Sequence, residues 1–167
     1  MQVNRRYSVL STFMEFNMAD IIHRIGIKSP LAKVYKAFTS IEGLANWWTN
    51  ETSGDAKVGG KIAFVFRSLQ GEVVGKMIMQ VQELNADKDA RWRCIDGPPD
   101  WIGTDITFQI STQDNQTILI FGHRNWKEAT ESTAHCSMKW AVFMLSLREY
   151  VETGKGKPSP KDRKSVV

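Results

Sequence analysis

The chain of 167 residues has a mass of 19.0 kDa, is 42% hydrophobic and 24% charged, and contains six tryptophans. This size and composition fit one globular domain with a substantial core, and they exclude a chain that is disordered throughout. The formal net charge is +4, but residues 18–153 carry a net charge of −1 and residues 154–167 one of +4. The folded part therefore lacks the basic stripe that is typical of nucleic-acid-binding proteins, and we expect no nucleic-acid partner.

The cysteine content and the hydropathy pattern indicate where in the cell the protein is expected. Cys94 and Cys136 lie far apart and form no CxxC motif, so the sequence has no framework for a disulfide-stapled secreted domain. No apolar run reaches the roughly 18 residues that a membrane span needs. We therefore expect a soluble cytoplasmic protein with no membrane span.

The two ends of the chain differ in composition from the middle. Residues 1–17 contain two arginines but no clear apolar segment of a secretory signal, and we interpret them as a flexible N-terminal extension. Residues 156–167 are rich in lysine and proline and have few apolar side chains, which predicts a flexible basic tail. The single predicted domain is thus 18–155.

The first elements of the domain are a strand and two short helices. Residues 20–27 alternate in hydropathy, which predicts a strand with Ile21, His23, Ile25 and Ile27 on one side. Ser29 is the predicted N-cap and Pro30 the first residue of a short helix. A second short helix is predicted from about Ile41 to Trp48.

The next 75 residues or so have the pattern of neighbouring antiparallel strands, each with one buried face. The predicted inward residues are Ile62, Phe64 and Phe66; Met77, Met79 and Val81; Trp92 and Cys94; and Ile102, Thr104, Ile106, Phe108 and Ile110. In the last strand, Leu119, Phe121 and His123 form one phase and Ile118 and Ile120 the other. We favour the first phase as the buried one.

The last predicted element is a helix from about Thr130 to Thr153. This segment has no proline or glycine and stops at Gly154, a residue typical of helix C-termini. Apolar residues recur at steps of three and four, namely Trp140, Phe143, Met144, Leu147, Tyr150 and Val151. A helix of about 35 Å with one broad apolar face is expected to lie against the sheet.

This order of elements is that of the α+β helix-grip fold, in which a curved antiparallel sheet wraps around a long C-terminal helix. Several motifs strengthen the likeness: Pro30 to Thr39, the Trp47-Trp48 pair, Gly59-Gly60, and Trp140 to Gly154. Over about residues 20–155 the chain resembles the SRPBCC (START-like) superfamily. Within this superfamily, the chain is similar to one branch. That branch contains proteins like the C-terminal domain of the activator of heat-shock-protein-90 ATPase homologue, or polyketide cyclase-like proteins.

The resemblance implies a cavity between the concave sheet and the long helix, of the kind that the superfamily uses for lipids, polyketides and other apolar molecules. Aromatic and methionine side chains are adaptable lining residues for such a cavity. The candidate ligand-binding residues are Trp47, Trp48, Phe64, Phe66, Met77, Met79, Trp92, Trp101, Phe108, His123 and Trp126. The chain departs from many relatives in having Lys139, rather than glycine, before the helix tryptophan, and His135-Cys136 near the start of that helix.

The titratable residues give little support for catalysis. His123 could bind a ligand oxygen or move a proton, or it could be a hydrogen-bonded histidine at a strand end. The sequence has no motif for nucleophilic catalysis, phosphate binding or metal coordination. We therefore predict no catalytic residue, no metal and no cofactor, and a binding protein rather than an enzyme.

Three functions remain open at this point. The first is binding of an apolar or amphipathic small molecule in the cavity. The second is a cyclase-like enzyme that uses His123 with an acid such as Asp105, although Asp105 falls on the opposite phase of its strand. The third is a protein-interaction module that resembles the chaperone-activator domain and has a protein partner.

Overall fold

The computed structural model describes residues 18–166, so the predicted N-terminal extension, residues 1–17, lies outside the described residues. Within the described residues there are seven strands and three helices. They are β1 (Ala19–Ile27), α1 (Leu31–Thr39), α2 (Ile41–Trp47), β2 (Glu51–Gly54), β3 (Lys61–Arg67), β4 (Val73–Asn85), β5 (Asp89–Asp96), β6 (Asp105–Gln113), β7 (Gln116–Trp126) and α3 (Glu131–Thr153). All of them except β2 follow the predicted order, and the helix-grip prediction is confirmed.

The strands form one antiparallel sheet in the order β1-β7-β6-β5-β4-β3-β2. The β6–β7 hairpin shows how local sequence sets this register. Asp114 and Asn115 both have positive φ values, 51° and 59°, and connect the paired residues Gln113 and Gln116. Two such residues form the tight turn whose twist matches that of the flanking strands.

Helix α3 packs against the buried face of the sheet through Trp140 and Leu147. The Trp140 ring lies 4.4 Å from the Phe121 ring of β7 and 4.9 Å from the Trp48 ring, measured between ring centroids. Gly154 ends the helix with a φ of 85°, a left-handed conformation that suits glycine. The predicted bounds and buried face of this helix are confirmed.

The favoured phase of β7 is also confirmed, since Leu119, Phe121 and His123 are all fully buried. Two local expectations are wrong, and one strand was missed. Ile102 lies in a turn before β6 and is 50% exposed, because β6 begins only at Asp105. Strand β2 was not predicted, since its four residues are too short to show alternation. Pro30, not Ser29, occupies the N-cap position of α1.

The prediction of a flexible, solvated tail is wrong for residues 156–166, which we call the C-terminal segment. Ser159 is buried and forms an isolated β-bridge with Thr49. The backbone N–H of Ser159 donates to the Trp48 carbonyl at 2.8 Å, and the Lys157 N–H donates to Ser146 Oγ at 2.8 Å. These hydrogen bonds fix the segment against the end of α2 and the middle of α3.

Among residues 18–166, no helix is both long enough and apolar enough to cross a membrane.

Candidate ligand-binding cavity

A cavity of about 490 Å³ lies between the β3–β4 hairpin, the loop 97–103, the first half of α3 and the C-terminal segment. Its size falls within the range of about 300–1,000 Å³ that is usual for small-molecule sites. The strands supply one wall because their inward residues face α3, and the C-terminal segment also contributes lining residues.

Five large aromatic side chains belong to the wall. Trp48, Phe66, Trp101, Trp140 and Phe143 all line the cavity. The Trp48 and Phe66 ring centroids lie 5.7 Å apart, those of Phe66 and Phe143 6.5 Å apart, and those of Trp101 and Trp140 6.0 Å apart. Rings in mutual contact hold one another in place, so the wall is largely formed before any ligand binds.

One end of the cavity is charged. The Asp162 carboxylate is ion-paired with Lys139 Nζ and, at 2.8 Å, with Lys164 Nζ, and all three residues line the cavity. Burial raises the pKa of Asp162, but the ion pairs with the two lysines lower it more, so the pKa lies below its usual value. The group is therefore a carboxylate at neutral pH. Lys139 Nζ also lies 4.9 Å from the centroid of the Phe143 ring and makes a cation–π contact with it.

Four of the eleven predicted ligand-binding residues line the cavity: Trp48, Phe66, Met77 and Trp101. The other seven are buried in the core and do not line it: Trp47, Phe64, Met79, Trp92, Phe108, His123 and Trp126. The Phe108 ring, for example, stacks on Phe38 with 4.5 Å between centroids. The structure thus divides the predicted set into wall residues and core residues.

His123 is fully buried between three tryptophan rings. Its Nδ1 accepts a hydrogen bond from Trp140 Nε1–H at 3.1 Å, and its Nε2 lies 2.8 Å from Thr104 Oγ1. Because an indole nitrogen can only donate, Nδ1 carries no proton and Nε2–H donates to Thr104, whose hydroxyl donates to the Trp101 carbonyl at 2.6 Å. Burial lowers the pKa of His123 to about 3. The imidazole is neutral, fully hydrogen-bonded and closed off from the cavity.

Asp105, the acid considered as a partner of His123, points to the opposite face of the sheet. Ile106 is the β6 residue paired with His123, and successive side chains of a strand alternate between faces. Both Asp105 oxygens accept hydrogen bonds from Arg93, at 2.8 and 3.0 Å. Asp105 therefore belongs to an ion-paired network on the outer face. The geometry gives no acid–base pair between Asp105 and His123.

The prediction missed several wall residues. Trp140 and Phe143 were assigned to the helix core, and Asp162 and Lys164 to a solvated tail. The sequence contained two signals for the charged end. Lys139 interrupts the apolar face of α3 four residues before Phe143, and Asp162 is the one acidic residue in 154–167, a segment with five basic residues. Within residues 18–166, no group of three or more His, Cys, Asp or Glu side chains is placed to hold a metal ion.

A curved antiparallel sheet around a long helix, with a cavity between them, defines the class of helix-grip proteins. The family of activator of Hsp90 ATPase homolog 1-like proteins matches residues 28–152. The chain belongs to that family. Proteins with this family fold are ligand-binding or protein-interaction domains.

Comparison with solved structures agrees with this assignment. The solution structure of the Aha1 dimer from Colwellia psychrerythraea is 44% identical in sequence and superposes with a TM-score of 0.74, over 83% of this chain and 100% of that one. CalU16 from Micromonospora echinospora superposes with a TM-score of 0.62 at 14% identity, over 82% of this chain and 78% of that one, and it shows the fold alone. No curated protein sequence matches the chain significantly.

Proposed function

We propose that the chain binds an apolar or amphipathic small molecule in the cavity described above. The observation that carries this proposal is the cavity's composition, five aromatic side chains with a charged group at one end. Covering apolar surface contributes about 25 cal/mol per Å², and rings already held in place reduce the entropic cost of ordering the site. The two cysteines are unpaired, which suits the reducing conditions of a cytoplasmic location.

Tryptophan fluorescence tests the proposal directly, because Trp48, Trp101 and Trp140 line the cavity. Titration with 1-decanol or Nile red is expected to give a saturable change in emission and a higher melting temperature. Gly75→Phe places a ring in the cavity, whereas Val73→Phe adds a ring to the same strand at an exposed position outside it. Binding is expected to be lost in the first variant and kept in the second. Equal binding by both variants would place the ligand elsewhere.

A protein-interaction module is the second candidate, and family membership together with one surface feature supports it. Leu69, Val73 and Val74, at or next to the turn of the β3–β4 hairpin, are 70%, 56% and 66% exposed. Clustered exposed apolar side chains are typical of interaction sites. We propose Hsp90 as the partner, because the family is described as activator of Hsp90 ATPase homolog 1-like proteins.

The test of this candidate is the ATPase rate of Hsp90 with and without the chain. We expect a rate increase that Leu69→Asp combined with Val73→Asp abolishes. Val58→Asp changes an equally exposed apolar residue outside the hairpin and is expected to leave the effect intact. An unchanged ATPase rate in the presence of the unmodified chain would contradict the candidate.

A further inference from the structure

The charged end of the cavity is built from two parts of the chain. Lys139 is fixed by α3, and its side chain is only 21% exposed. Asp162 is supplied by the C-terminal segment, which also lines the cavity, and its side chain is 2% exposed. A largely buried ammonium group needs an anion beside it, because an unpaired buried charge is strongly destabilising. Asp162 provides that anion in this structure.

The other charged wall residues, Arg67, Asp100 and Lys164, already have partners. Lys164 is paired with Asp162 at 2.8 Å. Arg67 is already paired with Glu51, and Asp100 accepts a hydrogen bond from Ser132. Lys139 has, besides Asp162, a hydrogen bond to the Arg163 carbonyl at 3.1 Å. Any carboxylate that reached the Lys139 ammonium from inside the cavity would satisfy it as Asp162 does.

The position of Lys139 also aligns such a group with the apolar wall. Lys139 and Phe143 are neighbours on one face of α3, one turn apart, and the Phe143 ring packs against Phe66. A head group on Lys139 would therefore place an attached apolar body along Phe143, Phe66 and Trp48. Lys139 and these aromatic side chains all line the same cavity.

We propose that the ligand of this cavity is an anionic amphiphile, a carboxylate with an apolar body, whose head group replaces the Asp162 carboxylate on Lys139. This inference rests on the proposed small-molecule binding and specifies its ligand class. The C-terminal segment then acts as an internal competitor, because its own carboxylate occupies the head-group position when no ligand is bound. A neutral alcohol cannot balance the lysine charge, and an amine is repelled by it.

The first experiment uses the full chain and three probes with the same alkyl body: decanoate, 1-decanol and decylamine. Affinities are measured by tryptophan fluorescence and calorimetry at one ionic strength. We expect decanoate to bind at least about tenfold more tightly than 1-decanol, and decylamine to bind most weakly. Equal affinity for decanoate and 1-decanol would overturn the carboxylate inference and leave the proposed function standing. Absence of saturable binding by all three would overturn both.

Substitutions identify the groups involved. Lys139→Gln is expected to reduce the ratio of decanoate affinity to 1-decanol affinity about tenfold or more. The matched control is Lys161→Gln, which removes the same charge from an exposed residue of the C-terminal segment that does not line the cavity. Loss of decanoate preference in the control as well would attribute the effect to net charge and overturn the inference.

Asp162→Asn removes the competing carboxylate and is expected to raise decanoate affinity several-fold relative to 1-decanol affinity. Asp114→Asn, in the β6–β7 turn, is the matched control. A fall in decanoate affinity, or an equal rise for both probes, would show that Asp162 does not compete for the head-group position. If Asp162→Asn fails to fold, the probe series on the unmodified chain and Lys139→Gln decide the inference.

Discussion

The Nε1–H of Trp140 on α3 donates a hydrogen bond to Nδ1 of His123 on β7, over 3.1 Å. This contact joins the long helix to the sheet through two fully buried polar atoms, and it fixes the neutral tautomer of His123 whose Nε2–H donates to Thr104. His123 thereby has a structural function. Trp140 links this hydrogen-bonded chain to the cavity, since its ring also lines the wall.

The buried His123 makes stability depend on pH. Burial lowers the pKa of His123 in the folded protein to about 3, below the usual value of 6.5 in the unfolded chain. The unfolded state therefore binds a proton that the folded state excludes. The stabilisation is complete above about pH 6.5 and falls by about 1.4 kcal/mol per pH unit as the pH decreases toward 3.

Urea unfolding at a series of pH values measures this dependence. His123→Gln is expected to lower the free energy of unfolding at pH 7.5 and to flatten its fall between about pH 6.5 and 4. His135→Gln, at an exposed residue of α3, is expected to keep the slope of the unmodified chain. An identical slope in the His123 variant would assign the pH dependence to other groups.

The buried face of α3 can be tested by introducing an aspartate at a buried position and, in a separate variant, at an exposed position nearby. Leu147 is fully buried and Leu145 is 50% exposed. Leu147→Asp is expected to cost several kcal/mol, comparable with the whole stability of a domain, and to give an unfolded or insoluble product. Leu145→Asp is expected to change stability by less than about 1 kcal/mol. Similar melting temperatures for the two variants would contradict the assigned face.

The packing of the C-terminal segment depends on a close backbone approach at Gly156. A Cβ atom there would lie 2.5 Å from the Asn46 carbonyl oxygen and 2.9 Å from that of Ser146. We expect Gly156→Ala to lower the free energy of unfolding by about 1–3 kcal/mol, because backbone atoms must shift to make room. Gly75→Ala is the control, since its nearest neighbour would be Phe66 Cβ at 3.9 Å. Equal stability of both variants would mean that the segment does not pack as described.

The two cysteines are expected to differ in reactivity. Burial raises the pKa of Cys94 to about 11, while Cys136 is half-buried, lines the cavity and has a pKa that burial also raises. With N-ethylmaleimide at pH 8 we expect slow labelling of Cys136, and still slower labelling of Cys136 when 1-decanol is bound. Cys94 is expected to remain unlabelled until the protein unfolds. Labelling followed by mass spectrometry measures each rate. Faster labelling of Cys94 than of Cys136 would contradict the assigned burial.

Local patterns in the sequence were sufficient for most elements. Alternation predicted β1 and the buried phase of β7, and the three- and four-residue spacing with Gly154 predicted the extent of α3. These signals are local because each reflects the repeat of a single strand or helix. β2 and the exposed turn at Ile102 were not predicted, since four residues show no clear repeat and Ile102 continued an apparent alternation that the turn interrupts.

The sequence by itself determined the inward faces of most strands and of α3, and the tertiary structure alone decided which of these side chains line the cavity. Trp47 and Trp48 are adjacent and both buried, yet only Trp48 lines the cavity, while the Trp47 indole donates to the Ala37 carbonyl at 2.9 Å. Asp162 stood out in the sequence only as the single acidic residue of a basic segment, and its burial depends on ion pairing with Lys139 of α3. Periodicity fixes the direction of a side chain within its own element, whereas a cavity wall depends on how separate elements and the C-terminal segment pack together.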